Sequence, residues 1–101
     1  MAFPVSRKGF QQFLQDNLNE PVGTTLLNRE CPLAECLKAR GCTKAHVGLI
    51  RSYWHTVNIE GGDVYNESKT PPWARRFISA VDAVHFRQLT GFEALKFLAE
   101  S

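Results

Sequence analysis

The sequence predicts an α+β fold, a small single domain over residues 1–101 in which about four helices pack on a two- or three-stranded antiparallel hairpin sheet. Three observations carry that expectation. Apolar residues recur at three- and four-residue spacing near both ends of the chain. Between Val47 and Ser68 β-branched and aromatic residues dominate instead, and Gly61-Gly62 divides two extended runs. Finally, 44% hydrophobic and 22% charged residues are a balance that can build a core but not a disordered chain.

The elements follow in order. Ser6 suits an N-cap, and Phe10, Phe13, Leu14 and Leu18 share one helical face, which predicts a first helix over 7–18. Asn19 to Gly23, with Pro21 and Gly23, reads as a breaker. Pro32 opens and Gly41 closes a second helix over 32–40, with Leu33, Cys36 and Leu37 on its core face. A hairpin follows. Tyr53, His55, Val57 and Ile59 alternate with Trp54, Thr56 and Asn58, so the Tyr53, Val57 and Ile59 face is expected against the helices. Asp63 to Glu67 forms the return arm, and Val47 to Ile50 is a possible third strand. Thr70 as cap and Pro71-Pro72 open a third helix over 72–85, with Trp73, Phe77, Val81 and Val84 in its stripe. Arg75 and Arg76 fall on its solvent side, where their role is solubility. Thr90-Gly91-Phe92-Glu93 matches a capping box and starts a fourth helix through Leu95 and Leu98.

Charge and cysteine usage narrow the setting. The formal charge of +2 comes from 12 basic and 10 acidic residues mixed along the chain, and it singles out no partner. No apolar run approaches the ~20 residues of a membrane span, and the N-terminal residues do not form a secretion signal. Three cysteines, an odd number, do not make a secreted disulfide framework. A cytoplasmic protein is expected.

Cys31, Cys36, Cys42 and His46 are the one set with metal-ligand character, spaced C-x4-C-x5-C-x3-H. Its closing C-x5-C-x3-H resembles the end of CCCH zinc fingers, a family that binds single-stranded RNA. The resemblance covers residues 31–46 and implies those four residues as zinc ligands, with Tyr53 and Trp54 stacking on bases beside Arg51. A helix over 32–40 competes with this reading, because it sets Cys31 and Cys36 about 140° apart around its axis. Cys36 then belongs to the core, the expected arrangement, with no cofactor.

Signatures of catalysis are sparse. The common nucleotide-binding, serine-hydrolase and zinc-protease motifs do not occur. Cys42 with His46, and Asp82 with His85, are the only pairings worth weighing as catalytic, and neither spacing by itself makes a nucleophile. Glu60-Gly61-Gly62-Asp63 reads as ordinary turn chemistry. The expectation is therefore a non-enzymatic interaction module that binds a protein partner or itself, with Arg51, Tyr53, Trp54 and His55 as surface candidates. Nucleic-acid binding through residues 44–55, with or without zinc, is the alternative.

Overall fold

The computed structural model describes residues 2–84 and 87–101, and it is an α+β arrangement of four helices and two antiparallel sheets. In chain order the elements are α1 (Arg7–Gln15), β1 (Pro21–Thr24), α2 (Pro32–Ala39), β2 (Thr43–Val47), β3 (Arg51–Val57), β4 (Asp63–Lys69), α3 (Pro72–Asp82), β5 (Gln88–Thr90) and α4 (Gly91–Glu100). A three-stranded sheet runs β2-β3-β4, and β1 pairs with β5 in a separate two-stranded ribbon.

Local chemistry sets the helix ends. The Ser6 hydroxyl accepts from Gly9 N, as expected of an N-cap. Helix α1 stops at Gln15 rather than at residue 18, because the Asn17 side chain donates to Phe13 O at 2.7 Å and turns the chain away. The carbonyls released there receive the start of α4: Gly91 N bonds Asn17 O and Glu20 O, each at 3.2 Å, and Phe92 N bonds Leu18 O at 3.1 Å. The Thr90–Glu93 capping box is formed in both directions. Thr70, expected as the α3 cap, is not one. Pro71 holds the N-cap position, while the Thr70 hydroxyl donates to Gly48 O at 2.7 Å. Helix α3 ends at Asp82, and position 85 of its expected span lies outside the described residues.

Two short strands escaped the sequence pattern. The supposed breaker contains β1, which pairs Pro21 with Thr90 and Thr24 with Gln88 across a bulge. Gly23 sits in that bulge at φ +155°, and a Cβ there would lie 2.5 Å from Pro32 N, so the chain approaches the α2 entrance as only glycine allows. The third strand of the main sheet is Thr43–Val47, not Val47–Ile50; residues 48–50 turn the chain, closed by Gly48 N bonding Arg51 O at 3.1 Å.

One core joins these parts. Phe10 and Leu14 of α1, Leu33 and Leu37 of α2, Phe77 and Val81 of α3, and Ala94 and Leu98 of α4 are buried with Val47, Trp54 and Leu89 from the strands. Phe10 meets Phe77 edge-on at 4.9 Å, and Phe3 reaches over to Trp54 at 6.1 Å. Helix α1 packs along α4, and α2 lies against β1 and β2.

The hairpin is turned over relative to the sequence expectation. Trp54 is 2% exposed, whereas Val57 is 63% and Ile59 fully exposed. Size decides between the two faces. A buried Trp removes roughly 150–250 Å² from water, worth about 4–6 kcal/mol, which exceeds what Val57 offers on the other parity. The polar neighbours that Trp54 takes inward are satisfied. Since the Thr70 hydroxyl donates to Gly48 O, Ser52 donates to Thr70 over 2.7 Å, and Asn66 Nδ2 donates to Thr56 Oγ1 at 3.1 Å.

Candidate interaction surface

Alternation along β3 and β4 sends Arg51, Tyr53, His55 and Val57, and Asp63, Tyr65, Glu67 and Lys69, to the face opposite Trp54. Strand β2 joins that face through a bulge. Lys44 adopts φ +51°, the pairing register shifts between Thr43 and His46, and Ala45 is buried while His46 lies beside Tyr53.

The result is a row of rings across three strands. His46 and Tyr53 stack face to face with centroids 4.5 Å apart and planes 7° from parallel. Tyr53 and Tyr65 follow at 6.0 Å, and His55 stands edge-on to Tyr65 at 5.5 Å. Charges frame the row. Arg51 Nε donates to Glu67 Oε1 at 2.6 Å, and Tyr65 OH donates to Glu67 Oε2 at 2.8 Å. Asp63 takes His55 Nδ1 at 2.9 Å and lies 3.9 Å from Lys44 Nζ.

The Tyr65–Glu67 bond favours one distribution of the proton. It raises the Tyr65 phenol, and together with Arg51 it lowers the Glu67 carboxyl, so the tyrosine donates and the glutamate stays ionised. The His46 imidazole is lowered, first by burial and then by the Arg29 charge. Asn28 Nδ2 lies 3.3 Å from its Nε2, and its Nδ1 is buried without a hydrogen-bond partner among the described residues.

Of the expected surface residues, Arg51, Tyr53 and His55 come together here, and Trp54 does not, being the strand's anchor in the core. Tyr65, Glu67 and Asp63 were not singled out from the sequence: a two-residue turn at Gly61-Gly62 sets His55 across from Ser68, whereas the observed register, with Val57 opposite Asp63, sets it across from Tyr65.

The cysteine–histidine set does not assemble. Cys31, Cys36 and Cys42 are free and buried, and His46 belongs to the ring row. Among the described residues no group of three His, Cys, Asp or Glu side chains is placed to hold a metal ion. Helix α2 over Pro32–Ala39 places Cys31 at its N-cap and Cys36 among its buried residues, about 140° apart around the axis. Burial pushes the Cys31 thiol up to about 11, and it raises Cys36 and Cys42 as well, so all three favour the protonated form. Asp82 accepts from Leu26 N at 3.2 Å; its suggested partner His85 lies outside the described residues.

Compared with protein-family models, curated proteins and solved structures, the chain matches none.

Proposed function

We propose that this chain is a non-enzymatic interaction module that binds a protein surface through the open face of its three-stranded sheet. The observation that carries the reading is the ring row itself. His46, Tyr53, Tyr65 and His55 form a continuous aromatic tier outside the core, where flat rings with polar tips are effective binding anchors. The charge pattern suits protein rather than phosphate. Arg51 and Lys44 are each matched by a carboxylate on the same face, Glu67 and Asp63, so the charge beside the rings is mixed in sign.

Protonated, buried thiols support a non-catalytic role and a reducing compartment such as the cytoplasm. No helix of the described residues is long and apolar enough to cross a membrane.

The test compares affinity capture by the wild-type chain with capture by a Tyr53→Ala/Tyr65→Ala variant. A partner retained by the first and lost by the second supports the reading; identical captures remove it. Single-stranded nucleic acid is the second reading, favoured by the parallel His46–Tyr53 stack, onto which a base could continue. Fluorescence anisotropy with labelled oligonucleotides at low salt decides it: ring-dependent binding there, with no protein captured, would replace the first reading by the second.

A further inference from the structure

We infer that the outer edge of β4 is a self-pairing edge, which joins two copies of this chain antiparallel about a two-fold axis at Asn66 and makes one continuous six-stranded sheet. The pairing surface is the backbone edge of the strand, and the side chains that set its register, Asp63, Tyr65, Glu67 and Lys69, stand on the ring face.

The edges of the three-stranded sheet are treated differently by the fold. At β2, helix α2 packs alongside and Val47 N bonds Asn28 O at 2.9 Å, so that edge is covered at its end. At β4, among the described residues, no backbone hydrogen bond from outside β3 reaches residues 63–69. An uncovered strand of this length presents a template for another strand.

The phase of the ladder identifies the groups that point outward. At the two ends of the hairpin Asn58 N bonds Gly62 O and Thr70 N bonds Ile50 O, each at 2.9 Å. Every second opposed pair of an antiparallel ladder exchanges hydrogen bonds, so the bonded pairs between are Ser52–Ser68, Trp54–Asn66 and Thr56–Val64. The amides and carbonyls of Asp63, Tyr65, Glu67 and Lys69 therefore face off the edge. Ser68 Oγ donates to Lys69 O at 3.1 Å, which leaves that carbonyl a second lone pair.

Charge then selects the partner and the register. Pairing centred on Asn66 places Asp63 opposite Lys69 of the second copy and Tyr65 opposite its Glu67, and symmetry repeats both contacts. All the outward-facing amides are used, and the side chains of these pairs lie on one face. The neighbouring registers with the same phase fail: one sets Asp63 opposite Glu67 of the second copy, and the other sets Glu67 opposite its own counterpart. Asp63 and Lys69 are opposite in sign and equidistant from Asn66, so the two ends of the strand are complementary to their own reversal, and Tyr65 can donate to the carboxylate set opposite it. Mixed charge that would repel an unrelated edge thus specifies a second copy of this one.

Sedimentation of the purified chain from about 1 µM to about 1 mM, combined with residue-resolved amide exchange, tests the inference. Dimerisation is expected, with protection of the Tyr65 and Glu67 amides that rises with protein concentration. Lys69→Glu sets like charges together twice per dimer and should weaken association at least about tenfold. Asp63→Lys combined with Lys69→Asp restores opposite charges and should recover it, while circular dichroism confirms that each variant is folded. A chain that stays monomeric throughout, a dimer whose Tyr65 and Glu67 amides exchange freely, or a charge swap that fails to rescue would each overturn the inference.

Discussion

Trp54 and Tyr53 are sequence neighbours with opposite fates, and the contrast fixes what each side chain is worth. Trp54→Ala removes a side chain enclosed by Phe3 and the core and should destabilise the fold by about 3–5 kcal/mol in denaturant unfolding. Tyr53→Ala/Tyr65→Ala acts on the solvent face and should stay within about 1 kcal/mol per site. Equal losses would mean that the ring row is a second core instead of a surface. The thiols offer a chemical check on burial. In the native protein Cys31, Cys36 and Cys42 should alkylate at least about a hundredfold more slowly than after unfolding, because burial both covers them and raises their pKa values. Rapid labelling of the native chain would contradict this. His46 gives a pH dependence of known sign. Its folded pKa is below the ordinary 6.5, so the unfolded state takes up the proton first. The contribution is fully present above that ordinary value and is lost as pH falls towards the folded one. His46→Gln should flatten the loss of stability as pH falls below the ordinary histidine value of 6.5; an unchanged slope would assign the loss elsewhere.

Among the elements, α1 and α4 show how a helix end is decided by its neighbour. The turn after α1 offers its carbonyls to the first amides of α4, and Gly91 is the residue that lets them meet. A Cβ at Gly91 would collide with the carbonyl oxygens of Leu14 and Asn17, which are backbone atoms and cannot rotate away. Gly91→Ala, a favourable change in an isolated helix, should here destabilise by about 1–3 kcal/mol. A neutral or stabilising result in thermal unfolding would mean that the two helices separate at little cost. The capping box on the same turn was legible in the sequence, because Thr90 and Glu93 satisfy amides within their own helix. The shortened α1 was not, since the Phe10, Phe13, Leu14 and Leu18 stripe continues past the point where Asn17 diverts the chain. Strands β1 and β5 were hidden for a related reason. Each is too short to show alternation, and their partners are more than sixty residues apart in the chain, as the pairing of Pro21 with Thr90 shows.

For the molecule as a whole, stability comes from one core shared by four helices and two sheets, with the cysteines inside it as apolar filling. Treatment with a strong chelator should therefore leave both the far-ultraviolet circular dichroism and the melting temperature unchanged; unfolding on chelation would reinstate the zinc reading and displace α2. The sequence by itself determined the fold class, the four helices and the central hairpin. Those features rest on local periodicity, proline and glycine placement and capping chemistry, all written within a few residues of where they act. It also brought Arg51, Tyr53 and His55 to one side of a strand, because alternation is intrinsic to extended backbone. Tertiary structure alone decided which side faces water. Both parities of β3 carry a plausible apolar set, and the choice fell to the one that could lodge Trp54 between Phe3 and the core while the Ser52–Thr70–Gly48 chain satisfied its polar neighbours. That single choice turned Tyr53 and Tyr65 outward and built the row of rings. Burial is a property of the assembled core, and no residue carries it in its own spacing.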